Sequence, residues 1–335
     1  MNILVTGGAG FIGSHTVVAL VEAGFEPIIV DDFSNSEKRA LSGIERILGR
    51  PVKCYEADCN NLETIQNIFR QEQIQGAIHF AAFKAVGESV QNPLKYYENN
   101  LVSLITLLKA AHTEGVKNIL FSSSATVYGL SEELPATEQT LIPKAMSPYG
   151  NTKQISEEIL RDVVASGALL RGISLRYFNP IGAHPSAAIG ELPLGVPNNL
   201  VPYITQTGAG IREKLTVFGG DYDTPDGTCL RDFIHVCDLA EAHVIAMKYL
   251  LSLEVDNYYD VFNVGTGVPN SVLEAITAFE EVSGKSLHYE IGARRDGDVP
   301  SLYADVSKIK SALGWTAKRS MKEGLADAWR WQQTL

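Results

Sequence analysis

The sequence predicts an α/β protein in which helices cover both faces of a doubly wound parallel sheet, with a smaller C-terminal α/β unit. Three observations support this class. A glycine-rich turn, residues 6–14, directly follows a short apolar run at the N-terminus. Up to about residue 176, short apolar runs alternate with segments of helical period. After residue 180 the regularity fails and Gly, Pro and Asn accumulate, which indicates a second unit.

The glycine-rich turn predicts a dinucleotide site at the start of the first helix. Gly7 permits the tight turn, Gly10 lets backbone N–H groups approach a phosphate, and Gly13 lets the helix pack close to the strand. The N-terminus of that helix then faces the anion. A second apolar run ends in Asp31, 18 residues beyond Gly13, where the ribose-binding carboxylate of such a unit belongs. The first unit is therefore predicted to be a Rossmann domain.

The first unit contains candidate strands that alternate with helices. The strands lie at residues 3–6, 27–30, 52–56, 77–80, 118–122 and 172–176, enough for a complete dinucleotide-binding sheet. Residues 93–114 have leucines at a helical period after Asn92-Pro93, which predicts a helix. Residues 148–164 begin with Ser147-Pro148, a capping residue followed by proline in the first turn, which predicts another.

The second unit is predicted to contain isolated elements. These are helices at 200–207, 237–251 and 272–282, a strand at 215–218 and a terminal amphipathic pair. We expect residues 1–178 to form the dinucleotide-binding domain and residues 179–335 the substrate-binding domain. The second domain then covers the carboxyl edge of the sheet, and the cleft between the two is the expected active site.

Composition excludes several classes of function. The chain has 335 residues, of which 45% are hydrophobic and 20% charged, as in a globular protein. A net charge of -11 argues against a nucleic-acid partner, which requires a basic surface. Four cysteines without a C-x-x-C pair are typical of reduced thiols in a cytoplasmic protein. No segment has the length of a bilayer span, and the N-terminus has no secretion signal, so we expect no membrane association.

Tyr149 and Lys153 predict the catalytic base. They lie four residues apart on a predicted helix, so both side chains project from one face and the ammonium can approach the phenol. A nearby cation favours the phenolate, which an isolated tyrosine does not form at neutral pH. Ser124 follows the fifth predicted strand, beside the point where a nicotinamide should lie, and can hydrogen-bond a sugar hydroxyl or the carbonyl formed from it.

Ordered motifs along most of the chain resemble the extended short-chain dehydrogenase/reductases and, within them, the 4-epimerases of UDP-hexoses. The matching segments are residues 6–13, 83–89, 121–129, 147–153, 176–185, 197–200 and 226–236. The resemblance implies reversible inversion at C4 of UDP-glucose and UDP-galactose through a 4-keto sugar, with bound NAD. It implies that Tyr149 is the base, that Lys153 supports it and that Ser124 steadies the sugar oxygen.

The resemblance also implies which residues contact NAD. In addition to Gly7, Gly10 and Gly13, these are Phe11, Ile12, Asp31, Asp32, Asn35, Ser36, Asp58, Cys59, Phe80, Ala81, Ala82, Lys84, Asn99, Ser124, Tyr149, Lys153 and Phe178. Asp31 would accept both ribose hydroxyls. Asp32 adds a second carboxylate that repels a 2′-phosphate, so NAD is favoured over NADP.

A second set of residues is implied for the UDP-sugar. It comprises Ser124, Tyr149, Asn179, Asn199, Leu200, Phe218, Arg231, Arg295, Asp298 and Leu302. The two arginines can each bind a diphosphate with two donors; the alternative is a structural salt bridge to Asp232 or Asp298. Leu302 occupies the position that limits space at the sugar's C2 substituent. A leucine there predicts a preference for UDP-glucose and UDP-galactose, with weak activity on the N-acetylated pair.

Two other functions share parts of this pattern. A nucleotide-sugar 4,6-dehydratase or decarboxylase also begins by oxidising C4, but those enzymes carry acidic residues after the strand-end serine or threonine, where this chain has Ala125 and Thr126. A non-catalytic NAD sensor would have lost Tyr149 or Lys153. The histidines lack metal-ligand spacing, so no metal is expected. The helix at 93–114 and the one after Pro148 are predicted to form a homodimer interface, as in similar proteins.

Overall fold

In the computed structural model, which describes residues 1–131, 133–295 and 297–335, seven of the thirteen described strands form a parallel central sheet. The strands in chain order are β1 (Asn2–Thr6), β2 (Glu26–Asp31), β3 (Cys54–Glu56), β4 (Gly76–His79), β5 (Asn118–Ser124), β6 (Arg171–Tyr177), β7 (Asn179–Ile181), β8 (Leu215–Phe218), β9 (Leu230–His235), β10 (Tyr258–Val264), β11 (Pro269–Ser271), β12 (Tyr289–Gly292) and β13 (Ser301–Leu302). The helices are α1 (Phe11–Glu22), α2 (Arg39–Leu48), α3 (Leu62–Gln71), α4 (Val86–Gln91), α5 (Pro93–Thr113), α6 (Pro148–Ala165), α7 (Leu200–Gly208), α8 (Val236–Ser252), α9 (Val272–Ser283), α10 (Ser307–Leu313) and α11 (Met321–Gln332). A 3₁₀ turn, Ala125–Tyr128, follows β5.

The central sheet confirms the predicted doubly wound class. Its strand order is β10-β6-β5-β4-β1-β2-β3, and the chain reverses direction across the sheet between β1 and β4. Adjacent residues of β1 point to opposite faces: Ile3 and Val5 pack with α1 and α8, whereas Leu4 packs with α3 and α5. All three are fully buried, as expected for a parallel sheet that is covered on both faces.

Each of the six strands predicted for the first unit is present, and the seventh strand was missed. β10 pairs with β6 along its whole length, from Tyr258 opposite Arg171 to Val264 opposite Tyr177. Helix α8, which precedes β10, packs against α1 on one face of the sheet. The chain thus returns to the first sheet after residue 179. The division into residues 1–178 and 179–335 stays a prediction.

Helix starts follow the predicted local chemistry. Helix α5 begins at Pro93 and α6 at Pro148, each with proline in its first turn. The Ser147 side chain accepts a hydrogen bond from Gly150 N at 3.1 Å and so caps α6. This cap fixes where α6 begins, and therefore which residues of the helix face the sheet.

The smaller unit has its own core and lies at the carboxyl edge of the sheet. Side chains of α7, α9 and α11 pack around β8, with Phe279 and Trp329 in edge-to-face contact. Strand β9 pairs with β7, β11 and β13 in a second sheet. The direct continuation of β6 into β7 places this second sheet beside the ends of the central strands.

Candidate active site

The glycine-rich turn is too crowded for side chains. Gly7 has φ +68°, and a Cβ there would lie 2.8 Å from Ala81 N. A Cβ on Gly13 would lie 2.2 Å from the carbonyl oxygen of Gly7. Gly10, the N-cap of α1, has no side chain to bond the first backbone N–H groups of the helix. Such a turn fits a diphosphate, which those N–H groups and the helix dipole can bind.

Asp31 ends β2 beside this turn and is held by its neighbours. Its Oδ2 accepts from Ala9 N at 2.9 Å, and its Oδ1 accepts from Phe33 N at 3.0 Å and from Ser36 Oγ at 2.7 Å. Asp32 Oδ1 accepts from both N and Oγ of Ser34. Two carboxylates at this position fit the hydroxyls of an NAD ribose and oppose a 2′-phosphate.

One cleft of about 260 Å³ collects most of the residues predicted to contact NAD. Its lining includes Gly7, Gly10, Phe11, Ile12, Gly13, Asp31, Asp32, Asn35, Ser36, Asp58, Cys59, Phe80, Ala81, Ala82, Lys84, Asn99, Tyr149 and Lys153. Ser124 and Phe178 lie outside the lining. Phe178 is buried and stacks on Tyr128, with ring centroids 6.4 Å apart.

Tyr149 and Lys153 project from one face of α6 into the floor of this cleft. The Lys153 ammonium lies 5.9 Å from the centroid of the Tyr149 ring and 4.8 Å from that of Phe121. It donates a hydrogen bond to the carbonyl oxygen of Ser122 at 2.7 Å, which ties α6 to the end of β5. Both side chains are buried. The four-residue spacing therefore produces the predicted proximity of cation and phenol.

Burial controls the proton affinity of both groups. Loss of solvent raises the pKa of the Tyr149 phenol, while a hydrogen bond with Ser124 acts in the opposite direction. Loss of solvent lowers the pKa of Lys153 to about 8, against the favourable charge of Glu157. Without a ligand, Tyr149 is thus a neutral phenol. An additional positive charge in the cleft would favour the phenolate.

The arginines predicted to bind the UDP-sugar share one carboxylate. Arg295 makes a two-point contact with Asp298, at 3.1 Å from Nε and 2.8 Å from Nη2. Arg231 Nη2 lies 3.7 Å from the same carboxylate, and its Nη1 donates to the backbone oxygens of Leu230 and Val299. Asp232 instead accepts from Thr266 and Gly267. Of the two salt-bridge partners considered, the structure selects Asp298.

The other residues predicted for the UDP-sugar are spread over several elements. Asn199 lines the cleft and precedes α7, whose first residue is Leu200. Asn179 begins β7, opposite Phe233 of β9. Phe218 ends β8, and its ring lies 5.5 Å from the Arg295 guanidinium. Leu302 packs in a buried cluster with Phe178 and Tyr128. Except for Tyr149 and Asn199, this predicted set lies outside the lining of the cleft.

Comparison with known proteins identifies the family. A family model for GDP-mannose 4,6 dehydratase matches residues 4–328. UDP-glucose 4-epimerase from Bacillus subtilis is 50% identical over 334 residues, which cover 100% of this chain and 97% of the relative. The Mus musculus UDP-glucose 4-epimerase is 46% identical, with 99% and 96% covered. The chain belongs to the UDP-glucose 4-epimerases.

A solved structure supports the same assignment. UDP-glucose 4-epimerase from Bifidobacterium longum, in complex with NAD⁺ and UDP, superimposes with a TM-score of 0.95 at 45% identity. The alignment covers 100% of this chain and 98% of that one. The predicted family, isomerase class and cofactor NAD are therefore confirmed.

The dehydratase alternative is not favoured within this family. The two positions after Ser124 are Ala125 and Thr126, which begin the 3₁₀ turn. Thr126 N donates to Ser124 Oγ at 3.2 Å, so the Ser124 side chain caps this turn. Neither side chain is a carboxylic acid that could eliminate water from the sugar. The dehydratase family model thus matches the shared fold and C4 chemistry, and the curated relatives resolve the activity.

A buried ion pair next to Lys153 on α6 was missed in the sequence. The Glu157 carboxylate accepts from Arg176 Nη2 at 2.6 Å and from Ser123 Oγ at 2.5 Å. Arg176 Nη1 donates to Tyr128 OH at 3.0 Å. This network joins α6, β5, β6 and the 3₁₀ turn. Glu157 lies four residues after Lys153, just as Lys153 lies four residues after Tyr149. This repeated spacing places all three side chains on one face of α6 and was a sequence signal for the position of Glu157.

A second missed residue is Glu191, which lines the cleft between Lys84 and Asn199. No local pattern marks it, because it lies in an irregular segment.

Among residues 1–131, 133–295 and 297–335, no three His, Cys, Asp or Glu side chains come together in a way that could hold a metal ion. None of the described helices combines the length and apolar character that crossing a bilayer requires.

Proposed function

We propose that this chain interconverts UDP-glucose and UDP-galactose by reversible inversion at C4 of the hexose. The observation that carries the proposal is the placement of Tyr149 and Lys153 on one face of α6, at the floor of the cleft that contains the glycine turn and Asp31. NAD, when bound, would supply the redox chemistry as the acceptor and donor of the C4 hydride, which carries both electrons. Every other step needs only proton transfer and positioning.

Tyr149 is the group that moves the proton. Its phenolate oxygen takes the proton of the 4-hydroxyl as the carbon is oxidised and gives it back as the ketone is reduced. The Lys153 ammonium, held by the Ser122 carbonyl oxygen, stabilises the phenolate. Ser124 hydrogen-bonds the sugar oxygen as it changes between alcohol and ketone.

Anchoring of the UDP moiety explains how both faces of C4 become accessible. Arg231, Arg295 and Asn199 are the groups proposed to bind UDP, and all lie in segments that follow β7 in the chain, whereas Tyr149 lies on α6. Because UDP is held by groups other than the one that contacts C4, the keto sugar can turn in the cleft without leaving it. Hydrogen then returns to the opposite face of the sugar.

The test is product analysis after incubation with UDP-galactose. We expect UDP-glucose to accumulate up to an equilibrium mixture, without net consumption of NAD. A stable keto sugar that has lost water would support the dehydratase instead. Absence of turnover by NAD-loaded protein would support a sensor.

We further propose that the protein acts in the cytoplasm as a homodimer that joins α5 and α6 of each copy. The described cysteines are free thiols, which suits a reducing compartment. Helices α5 and α6 pack side by side, and Val102 of α5 is exposed, so that an apolar side chain is available to a partner. Sedimentation should give about twice the 36.4 kDa chain mass. Val102→Arg should yield monomers, and an unchanged mass would rule out α5 as the interface.

A further inference from the structure

Glu191 lies between the two ligand-binding sides of the cleft. Its Oε1 accepts a hydrogen bond from Asn199 Nδ2 at 2.6 Å and lies 3.2 Å from Lys84 Nζ. Lys84 belongs to the residues predicted to contact NAD, and Asn199 to those predicted to contact the UDP-sugar. A single carboxylate oxygen therefore joins one residue from each side.

The backbone of Glu191 is fixed from a third direction. Trp331 Nε1, on α11, donates to the carbonyl oxygen of Glu191 at 2.8 Å. A Cβ on Gly190 would lie 2.4 Å from the Trp331 ring, so the segment lies directly against that ring. The Glu191 side chain is only 11% exposed. The backbone is thus held in place, and the mostly buried carboxylate contacts both partners from that position.

Charge makes this arrangement important for both ligands. NAD and a UDP-hexose each carry a diphosphate, and an unpaired carboxylate between two diphosphates would repel them. Lys84 neutralises Glu191, and the Asn199 amide satisfies the same oxygen. Both contacts persist only while Lys84 and Asn199 point towards Glu191.

We propose that Glu191 is a positioning residue that couples NAD binding to UDP-hexose binding; the inference rests on the proposed function, because it takes both ligands to occupy this cleft. The first ligand orders Lys84 or Asn199, and the shared oxygen then orders the other. The second ligand meets a side chain that is already oriented and binds more tightly. Reciprocity requires that UDP strengthens NAD binding by the same factor as NAD strengthens UDP binding.

The test measures how UDP changes the release of NAD. Holoenzyme carrying radiolabelled NAD is diluted into unlabelled NAD, with or without saturating UDP, and the bound label is followed over time. For the natural sequence we expect UDP to slow the release about tenfold, a usual strength for coupled sites. In Glu191→Ala this factor should fall to about 1. Glu191→Gln keeps the acceptor for Asn199 but loses the charge facing Lys84, and should be intermediate.

Glu290→Gln is the matched control. Glu290, on β12, lies outside the lining of the cleft, and its Oε2 accepts a hydrogen bond from Lys214 Nζ at 2.7 Å. In this variant UDP should slow NAD release as much as in the natural protein. If Glu191→Ala loses NAD during purification, NAD titrations with and without UDP measure the coupling as a ratio of Kd values, and the natural protein is titrated in the same way for comparison. A merely structural role would speed NAD release equally in both conditions. An unchanged factor in Glu191→Ala, or no effect of UDP on the natural protein, overturns the proposal.

Neither measurement requires turnover, so the two hypotheses fail separately. If UDP slows NAD release but UDP-galactose is not converted, the proposed function is rejected and the role of Glu191 stands. If UDP-galactose is converted but UDP does not change NAD release, the proposed function stands and the role of Glu191 is rejected.

Discussion

The NAD side of the cleft and the proposed UDP-hexose side are built differently. On the NAD side, Asp31, Tyr149 and Lys153 are each less than 7% exposed and are held by the ends of central strands. On the other side, Phe218 is 45% exposed and the Arg295 side chain 54%. The arginines there contact Asp298, whereas no side chain caps the N-terminus of α1 at Gly10 on the NAD side.

At Asp31, Tyr149 and Lys153 the proposed NAD site is therefore buried and fixed, whereas the proposed UDP-hexose site is partly exposed. We infer that NAD meets a preorganised surface, because these three residues, which are proposed to contact it, are buried at the ends of the central strands. The arginines proposed to bind UDP would have to exchange or share their carboxylate partner, Asp298, with a diphosphate. Mutations should therefore affect the two sides in distinct ways, and the following experiments separate them.

The largest effect is expected at Tyr149, where both sides meet. Tyr149→Phe removes the proton acceptor and should lower kcat by about 10³, a usual contribution of acid–base catalysis. UDP affinity and NAD content should stay near those of the natural protein, because no charge or anchoring group is lost. Steady-state kinetics and calorimetry with UDP provide the measurement. An unchanged kcat would reject Tyr149 as the base.

The next effect tests the rigidity of the NAD side. In Gly13→Ala the new Cβ meets the Gly7 carbonyl oxygen at 2.2 Å, so the turn must open. We expect NAD affinity to fall by roughly 10²-fold, as for an overpacking strain of about 3 kcal/mol. Gly87→Ala is the control, because a Cβ there has open space. Full NAD retention in Gly13→Ala would contradict a preorganised turn.

Arg231 tests the UDP-hexose side. Arg231→Ala should raise the Kd for UDP by roughly 10- to 100-fold, since a charge-assisted hydrogen bond contributes about 1.5–3 kcal/mol. NAD content should not change. Arg294→Ala is the neighbouring control, because Arg294 pairs with Asp221 in the solvent. If the two variants change the Kd for UDP equally, Arg231 does not bind the diphosphate.

Acid should destabilise the fold through its buried histidines. Burial lowers the pKa of His79, on β4 of the central sheet, to about 3. The neutral ring therefore stabilises the fold fully above pH 6.5, and this stability is lost as pH falls towards 3. Between pH 7 and pH 5 His79 should contribute about 2 kcal/mol to the loss of stability. His15, His235 and His243, whose pKa values burial also lowers, add to the total.

Denaturant unfolding at pH 7 and pH 5 measures the total drop in the free energy of unfolding, and a variant isolates the part that His79 contributes. His79→Asn should shrink the drop by about that 2 kcal/mol. His288→Asn, an exposed position of the smaller unit, should leave it unchanged.

The smallest effect concerns selectivity. Leu302→Ala removes side-chain volume from the cluster that contains Phe178. Turnover of UDP-N-acetylglucosamine relative to UDP-glucose should rise by roughly 5- to 10-fold, the scale of a few methylene contacts. Val299→Ala, in the same cluster, is the control. If the ratio of kcat/KM values does not change in Leu302→Ala, this position does not limit the C2 substituent.

Local sequence determined much of the NAD side. Gly13 is required by its contact with Gly7, six residues earlier, and Gly7 has the positive φ of a tight turn. The four-residue spacing of Tyr149 and Lys153 places them on one face of any α-helix. The alternation of apolar runs likewise identified the first six strands of the sheet. In each case the relevant geometry repeats over a short distance along the chain, so residue order is sufficient information.

Tertiary structure alone decided the rest. Strand β10 joins β6 although about 80 residues separate them, and its partly polar pattern does not specify this neighbour. The choice of Asp298 over Asp232 as the arginines' partner, and the meeting of Lys84, Glu191 and Asn199, also depend on distant segments. Such contacts are selected by the packing of the whole chain, because only packing brings side chains from separate elements to one point.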